Sequence, residues 1–450
     1  MPDRSLRPPA GAVRPFQLPE VRSVRTSEGL EIRSMARGGV PLVSVALVVE
    51  AGEVRCAPGE EGIAVLTGDA LQGGTLRRTG AELAEALEGY GSGIRVSTGW
   101  DASTVGFTCL ADRLEAVLAL LAEVVREPSF PAPEVERMRS QRLAAIRQRK
   151  MDPAGLADDE LDSDVFPPTH PFHRPLGGTE TSVAALGRDR VAAFAGEAYS
   201  RVGAGAVMVG DLSPDQVLDL ASRHFGSWPA GAMGGGAVPE TPSGGGRAVR
   251  IVHRPGAVQS ELRLGEPGPP RGHPDEIPLR VANAVLGGAF TSRLNMNLRE
   301  KHGFTYGVRS AFEARRDGGL FSVGTSVQTE VTAPALAEAL AELERFAASG
   351  PEPDEVAKAR DYLAGVFPLR METTAQLAAR LTELIIYRLP NDHHHRYRDR
   401  VRAVDVETAR AAVARHVHPE RMSVVIVGDA DRVAGPVESL GVGPVSIEGR

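Results

Sequence analysis

The feature that most constrains the fold is an internal duplication. Each half of the chain contains a helix-forming segment, EVERMRSQRLAAI and EVAKARDYLAGVF, whose valines Val135 and Val356 are 221 residues apart. Near its end each half has an apolar run that closes on Val-Gly-Asp, AVMVGD and VVIVGD, in which Val209 and Val427 are 218 residues apart. Two matches at nearly the same offset predict a duplicated domain of about 200 residues.

A glycine-rich segment separates the two copies. Residues 231–247 (GAMGGGAVPETPSGGGR) show neither a helix nor a strand period and are predicted to be a linker. The first domain is then expected over residues 21–230 and the second over 248–450, after a flexible, proline-punctuated extension at 1–20. Because strands and helices do not follow a strict βαβ order, we predict an α+β fold in which each domain is an antiparallel-rich sheet with helices packed on one face.

Composition excludes several classes of protein. The chain has 450 residues and a net charge of −7, which argues against a nucleic-acid binder that relies on positive charge. Two cysteines, Cys56 and Cys109, provide neither a disulfide framework nor a thiolate zinc site. The sequence contains no run of 18 or more apolar residues, so no membrane span is predicted. The first residues lack the apolar core of a secretory signal, so a cytoplasmic location is expected.

Three polar clusters contain side chains that can bind a metal ion. His170 and His173 lie in the loop sequence VFPPTHPFHRP and could contact one metal ion, but no third ligand is suggested, so packing of the loop is favoured. The three histidines at 393–395 point in different directions on a helix and are expected to form a solvated charge cluster. The acidic run at 158–164 lacks the glycine and the terminal glutamate of a calcium loop and is expected to be a solvated helix face.

The most informative segment is GGAFTSRLNMNLREKHGFTYGV at 287–308. Leu294 and Leu298 are four residues apart and predict the buried face of a helix. Gly303 is placed to end that helix, and the alternation of Phe304, Tyr306 and Val308 predicts a strand after it.

This arrangement places Arg299 near the end of a helix and Tyr306 early in a strand, so both side chains can approach one spot. A guanidinium group suits a peptide carbonyl or carboxylate, and a tyrosine hydroxyl can donate to a developing oxyanion. Taken alone, an arginine at a helix end and a half-buried tyrosine are more commonly structural.

The pattern S-R-L-x-x-x-L-R-E-x-x-G-x-x-Y, from Ser292 to Tyr306, resembles the second half of the pitrilysin and mitochondrial-processing-peptidase metallopeptidases, the inverzincins. VPLVSVALVVEAGE, GIA, GGT, RPGAVQSELRLG and the two VGD runs also occur in the order of that family, so that the resemblance covers about residues 20–440. It implies a two-domain α+β subunit that pairs into a clam-shaped dimer around a peptide chamber.

Active members of this family carry H-x-x-E-H directly after the GIA-like segment, with two histidines as zinc ligands and a glutamate as general base. In this chain GIA is followed by VLTGD, so Val65 and Asp69 stand at the histidine positions and Gly68 stands at the position of the base. The third ligand of the family, a glutamate on a later helix, falls on or near Ala145. The resemblance therefore implies a degenerate site with no metal in this chain, and zinc in a partner subunit.

The same resemblance assigns a role to Arg299 and Tyr306. They match the Arg–Tyr pair, with its seven-residue spacing, that one subunit supplies to its zinc-bearing partner for substrate binding and oxyanion stabilisation. Of the glycine-rich loop that precedes this helix in the mitochondrial non-catalytic subunit, only Gly287 and Gly288 are present, so the resemblance does not imply a substrate-guiding role for this loop.

These observations predict a non-catalytic subunit of a heterodimeric zinc metallopeptidase that cleaves no peptide alone. Its partner would be a homologous chain with H-x-x-E-H, and its ligand a peptide substrate. One alternative is a structural scaffold or peptide-binding pseudopeptidase with no part in catalysis. Another is a free-standing peptidase with a relocated metal site at His170 and His173.

Overall fold

The computed structural model describes most of the chain, namely residues 16–231, 238–239 and 245–449. The predicted linker at 231–247 and the predicted extension at 1–20 therefore lie largely outside the described residues. At the described end of that extension, the ring of Phe16 packs edge-on against Phe367 of the second half, with 6.3 Å between the ring centroids. Among the described residues no helix has both the length and the apolar character needed to cross a bilayer.

The first half forms one mixed sheet with helices around it. Its strands are β1 (Val21–Arg25), β2 (Glu31–Ala36), β3 (Leu42–Val49), β4 (Arg95–Thr98), β5 (Ser103–Leu110) and β6 (Gly205–Gly210). Its helices are α1 (Ile63–Ala70), α2 (Gly80–Gly89), α3 (Leu114–Arg126), α4 (Ala132–Met151), α5 (Pro153–Val165), α6 (Glu180–Ala185), α7 (Arg188–Ala198) and α8 (Pro214–Phe225).

The second half repeats this plan. Its strands are β7 (Ala248–His253), β8 (Gln259–Gly268), β9 (Val308–Arg315), β10 (Gly318–Gln328), β11 (Ser423–Gly428) and β12 (Val445–Glu448). Its α-helices are α9 (Glu276–Asn283), α10 (Thr332–Ser349), α11 (Pro353–Val366), α12 (Thr374–Ile386), α13 (Tyr397–Ala403), α14 (Val406–His416) and α15 (Ala430–Glu438). The segments Ala284–Gly288 and Asn295–Lys301 are π-helical.

Five strands of the first sheet have equivalents in the second, in the same order. This confirms the predicted α+β fold and its duplication. The first sheet runs β1-β2-β6-β3-β5-β4 and the second β12-β7-β11-β8-β10-β9. The β2–β6 and β7–β11 pairs are parallel, and the other pairs among the shared strands are antiparallel. The register also agrees, since Arg95 pairs with Gly106 in the first sheet and Arg309 with Gly324 in the second. Only the additional edge strands differ, because β1 runs antiparallel to β2 whereas β12 runs parallel to β7.

The halves exchange one helix each. Helix α5 of the first half packs on β8 and β11 of the second sheet, and α12 of the second half packs on β3 and β6 of the first. Each sheet is therefore covered on its second face by a helix from the other half. The sequence did not predict this exchange, because a helix pattern does not show which sheet the helix will cover.

The acidic run at 158–164 is part of α5 and faces the second sheet. Asp164 Oδ2 accepts a hydrogen bond from Arg250 Nε at 3.0 Å, and Asp158 Oδ1 accepts one from Arg263 Nε at 2.6 Å. The expectation of a solvated helix face is therefore only partly correct: Asp158 and Asp164 are exposed, but they pair with arginines that project from the neighbouring strands.

Candidate functional site

Helix α1 carries three of the four positions at which the metal site is degenerate. Gly68 and Asp69 on α1 and Ala145 on α4 line one cavity of about 290 Å³, together with residues of β4 and α4. Val65 lies one turn earlier on α1, half-buried, and does not line the cavity. The structure thus brings together three of the four positions that the sequence marked as a lost metal site.

The donors in this cavity do not fit a zinc ion. Of the four marked positions only Asp69 carries a ligand atom for a metal, and the guanidinium of Arg142 lines the same cavity. Asp69 is exposed to solvent, yet the surrounding protein removes enough of its hydration to raise the pKa of its carboxyl, an effect that Arg142 opposes. One carboxylate beside a fixed positive charge is a poor environment for a dication, which needs three or four ligands.

The position of the missing base is also closed by packing. A Cβ atom on Gly68 would lie 2.5 Å from Thr98 Oγ1 and 3.2 Å from Val96 Cγ1, both on β4. The Thr98 hydroxyl is held by a 2.8 Å hydrogen bond to Ser103 Oγ. A side chain at position 68 therefore requires the Thr98 side chain to rotate, with loss of its bond to Ser103, or β4 to move away from α1.

Sequence reasoning missed Arg142, which dominates the electrostatics of this cavity. Its Nε donates to Gly177 O at 2.9 Å and its Nη2 to Leu176 O at 2.7 Å, so the loop after α5 fixes the guanidinium. Arg142 lies three residues before Ala145 on α4, hence on the same helix face, and this spacing is the signal that could have identified it.

The predicted Arg–Tyr pair lies at the surface of the second half. The side chain of Tyr306 is 96% exposed, and Arg299 is partly exposed with its Cζ 4.4 Å from the ring centroid of Phe290. Neither residue lines the cavity of the degenerate metal site. Within this chain the two features are therefore separate, and the structure does not bring them together.

The backbone around Tyr306 is tightly fixed although its side chain is free. Thr305 Oγ1 donates to Ser326 O at 2.8 Å and accepts from Gly307 N at 3.1 Å. The side-chain amide of Asn295 accepts from Val308 N at 3.0 Å and donates to Val308 O at 2.9 Å. These polar contacts, which the sequence analysis did not identify, fix the backbone from which the phenol projects into solvent.

Local structure in this segment partly follows the prediction. Leu294 and Leu298 are fully buried, and Gly303 adopts φ +65° after the helix, as a terminating glycine does. The helix is π-helical at 295–301, and the strand begins at Val308 instead of at Phe304. The start is later because the hydroxyl of Thr305 bonds to Gly307 N and Ser326 O, which the β9–β10 ladder would otherwise join.

His170 and His173 serve the packing of their loop. His170 is fully buried, its Nδ1 accepts from Phe172 N at 3.1 Å and its ring stacks on Phe166 with 4.9 Å between centroids. His173 Nδ1 lies 2.8 Å from Phe166 O. Among the described residues, the groups of three His, Asp or Glu side chains close enough to share a metal lie elsewhere, at His273–Asp275–His416 and His253–Asp429–Asp431.

The histidine run at 393–395 is not the solvated cluster that the sequence predicted. His393 and His394 are both 6% exposed, and burial lowers the pKa of His393 to about 4. His394 Nε2 lies 3.0 Å from Arg380 O, and only His395 is exposed. The expectation of a solvated charge cluster is therefore wrong for His393 and His394, which pack in the second half.

A larger cavity of about 710 Å³ lies between the two halves. Its walls come from α4 and α5 on one side and from β8, β9 and β10 on the other. Five carboxylates and five guanidinium groups line it: Asp158, Asp159, Asp162, Glu261, Glu313, Arg142, Arg149, Arg263, Arg309 and Arg315. Arg142 lines both cavities, so the large cavity lies next to the degenerate metal site.

Two models of one protein family match the chain in succession. A model described as "Insulinase (Peptidase family M16)" matches residues 36–180, and one described as "Peptidase M16 inactive domain" matches residues 185–363. The chain belongs to the M16 peptidase family. The family resemblance read from the sequence is therefore confirmed.

Individual relatives match two thirds of the chain or more. The chain is 28% identical to a protein named an uncharacterized zinc protease of Mycobacterium tuberculosis, over 95% of this chain and 96% of that protein. It is 25% identical to a similarly named Bacillus subtilis protein, over 67% of this chain and 72% of that one. A crystal structure titled peptidase M16 inactive domain from Pseudomonas fluorescens has a TM-score of 0.85 and 27% identity, and covers 91% of this chain and 98% of that one.

Within the M16 family this chain lacks the H-x-x-E-H residues expected after its GIA segment. The family description applies the word inactive to the model that matches residues 185–363. The missing metal ligands of this chain, however, lie in the region of the other model, at positions 65, 68, 69 and 145. The loss is therefore a property of the domain in which H-x-x-E-H is expected.

Proposed function

We propose that the chain is the non-catalytic subunit of a heterodimeric zinc metallopeptidase. It forms half of the peptide chamber and supplies Arg299 and Tyr306 in trans to the active site of a homologous partner that carries H-x-x-E-H. The observation that carries the proposal is the state of Tyr306, whose backbone is fixed by Thr305 and Asn295 while its side chain is 96% exposed. A phenol held this way is available to another chain.

The chemistry of the pair suits peptide hydrolysis. Zinc in the partner would supply the activated water and polarise the peptide carbonyl. Arg299 would hold a substrate carbonyl through its guanidinium, and the hydroxyl of Tyr306 would donate to the oxygen on which negative charge develops. Both roles need a hydrogen-bond donor and no metal in this chain, in agreement with the donor set around Asp69.

The proposal is tested by reconstitution with a candidate partner that bears H-x-x-E-H. The full chain, the partner and an equimolar mixture are each assayed on a quenched fluorescent peptide, and their zinc content is measured. We expect zinc only in the partner and the mixture, and efficient turnover only in the mixture. Chelator-sensitive hydrolysis by this chain alone would contradict the proposal.

A second candidate is a peptide-binding pseudopeptidase with no part in catalysis. The large cavity favours it, since a chamber rich in charged side chains can hold a peptide without cleaving it. The two candidates differ in one outcome. A pseudopeptidase binds peptide but leaves the turnover of every partner unchanged, whereas the proposed subunit raises it.

A further inference from the structure

Phe290 is an exposed aromatic residue beside one member of the Arg–Tyr pair. It lies in the loop between the π-helical segments Ala284–Gly288 and Asn295–Lys301, the second of which carries Arg299, and it is 69% exposed. The Cζ atom of Arg299 lies 4.4 Å from the centroid of its ring, inside the range of about 6 Å for a cation–π contact. Because most of the residue remains in water, the ring contributes little to the hydrophobic core.

The guanidinium of Arg299 keeps its hydrogen-bond donors free. Within the part of the chain that the structure describes, its side chain donates no hydrogen bond, and the carboxylate within ion-pair distance is that of Glu300, with Oε1 3.4 Å from Nε. Glu300 is half exposed, so this ion pair is weak. A cation–π contact uses the flat face of the guanidinium, whereas the N–H groups lie at its edge. The ring can therefore restrain the guanidinium and leave its N–H groups for a ligand.

Arg293, earlier on the same segment, shows the contrasting arrangement. It is also held over an aromatic ring, with Cζ 5.3 Å from the ring centroid of Phe346. Its donors are used as well, since Nε donates to Glu355 Oε1 at 2.8 Å and Nη2 donates to Glu355 Oε2 at 2.5 Å. A two-pronged ion pair of this kind satisfies the guanidinium within the chain. Arg293 is therefore structural, whereas Arg299 has a ring on its face and no such ion pair.

The loop that carries Phe290 is anchored to β9. Gly287 permits a close approach, since a Cβ atom at this position would lie 2.7 Å from Ser310 N on that strand. The side-chain Nδ2 of Asn295, which also binds the first residue of β9, donates to Ala289 O at 3.3 Å, directly before Phe290. The ring thus projects from a fixed backbone, as a group that orients another side chain must.

We propose that Phe290 is a positioning residue for Arg299, whose guanidinium its ring restrains while the N–H groups stay free to bind a substrate carbonyl. An arginine side chain gives up rotamer freedom when it binds, and a ring that restricts it beforehand lowers that cost. Phe290 acts through Arg299 and needs no contact with the substrate. The inference rests on the proposed function, because it concerns how Arg299 is presented to the active site of the partner.

The test measures kcat and KM of the reconstituted complex on a quenched fluorescent peptide. Phe290→Leu keeps an apolar side chain but removes the π face, whereas Phe290→Trp keeps an aromatic face. Val258→Ala, in the loop between β7 and β8 and 74% exposed, is the control for loss of an exposed apolar side chain. We expect kcat/KM to fall about two- to five-fold in Phe290→Leu, the size of an exposed cation–π contact, and to remain at the wild-type value in the other two variants.

A double-mutant cycle separates positioning from a general effect on the fold. In the Arg299→Ala background, Phe290→Leu should cause no further loss, because the group that the ring restrains is absent. The loss in Phe290→Leu should also divide between kcat and KM in the same proportion as the loss in Arg299→Ala. Wild-type kcat/KM in Phe290→Leu, or an equal loss in both backgrounds, would overturn the inference.

A measurement on the full chain alone keeps the two proposals separate. By NMR, the Nε–H proton of Arg299, assigned by its absence in Arg299→Lys, should be shifted upfield by the ring current of Phe290, and the shift should disappear in Phe290→Leu. An unchanged resonance in Phe290→Leu would overturn the inference whether or not the complex is active. A shifted resonance in a chain that gives no turnover with its partner would instead contradict the proposed function, and with it the catalytic use of this contact.

Discussion

The two halves have sheets of the same strand order, but the outer edge strands, β4 and β9, differ in their hydrogen bonds. On β9 the side chains of Asn295 and Asn283 bond to backbone groups that turn away from β10. On β4 the residues that turn outward are Val96 and Thr98, beside the cavity of the degenerate metal site. Among the described residues, no hydrogen bond is made to their outward backbone groups.

This difference between the edge strands indicates that the two copies of the domain no longer have the same role. An unpaired edge strand is a template for another extended chain, whereas a capped edge is not. The first half has lost its metal ligands but keeps an open edge. The second half has closed its edge and uses the same hydrogen bonds to present Tyr306. Under the proposed function we therefore expect peptide to dock on the first half and the second half to supply the donor groups.

The strongest way to break this division is to remove the donors of the second half. In the reconstituted complex we expect Arg299→Ala and Tyr306→Phe each to lower turnover of a quenched peptide by a factor of about 10²–10³, since each removes a donor to the reacting carbonyl. Tyr362→Phe, on α11 and 45% exposed, is the matched control and should leave turnover unchanged. Full turnover in both variants would remove the catalytic role.

The duplication and the lost metal site could be predicted from sequence because both rest on local patterns. The repeated VGD runs became β6 and β11, and the missing ligands were visible as Val65, Gly68 and Asp69. The Asn caps on β9 could not be predicted, because each depends on a contact between segments 13 or more residues apart. The contact of Gly68 with β4 and the burial of His393 are likewise set by tertiary packing, which overrides the local preference of the residues.

The two exchanged helices, α5 and α12, also differ from each other in the polarity of the surface that they bury. Helix α12 meets the first sheet through mostly apolar side chains, whereas α5 carries Asp162 into a charged interface. Burial raises the pKa of Asp162 to about 7, so between pH 5 and 7 the folded state keeps a proton that the unfolded state has released. Stability from this group is therefore present at low pH and is lost as the pH rises toward 7, at about 1.4 kcal/mol per pH unit.

Asp162→Asn should abolish this dependence. We expect the free energy of unfolding of the variant, relative to wild type, to rise by about 2–3 kcal/mol between pH 5 and pH 8. Urea unfolding at both pH values measures it, with Asp361→Asn on the exposed face of α11 as control. A difference that stays constant with pH would show that Asp162 does not titrate in this range.

The closed position of the missing base can be probed by a single methyl group. Gly68→Ala places a Cβ atom 2.5 Å from Thr98 Oγ1 and should lower the free energy of unfolding by about 1–3 kcal/mol, as overpacking does. Gly196→Ala, in α7 and with open space around its Cβ position, should instead raise it by up to about 1 kcal/mol. Thermal unfolding compares the two, and equal stabilities would mean that α1 and β4 separate easily.

The smallest expected effect comes from a substitution at the unpaired edge of β4. Val96→Pro removes an N–H that turns away from the sheet, so the β4–β5 ladder keeps its hydrogen bonds while a docked peptide loses one. We expect peptide affinity to fall about five- to ten-fold, which corresponds to one main-chain hydrogen bond, in an anisotropy titration of the full chain. Val96→Thr keeps the N–H and a similar volume and should bind as the wild type does. Equal affinity of the two variants would mean that a peptide main chain does not dock on β4. Because Asn283 and Asn295 already occupy the corresponding edge of β9, neither edge would then bind peptide, and the proposed difference in role between the halves would be wrong.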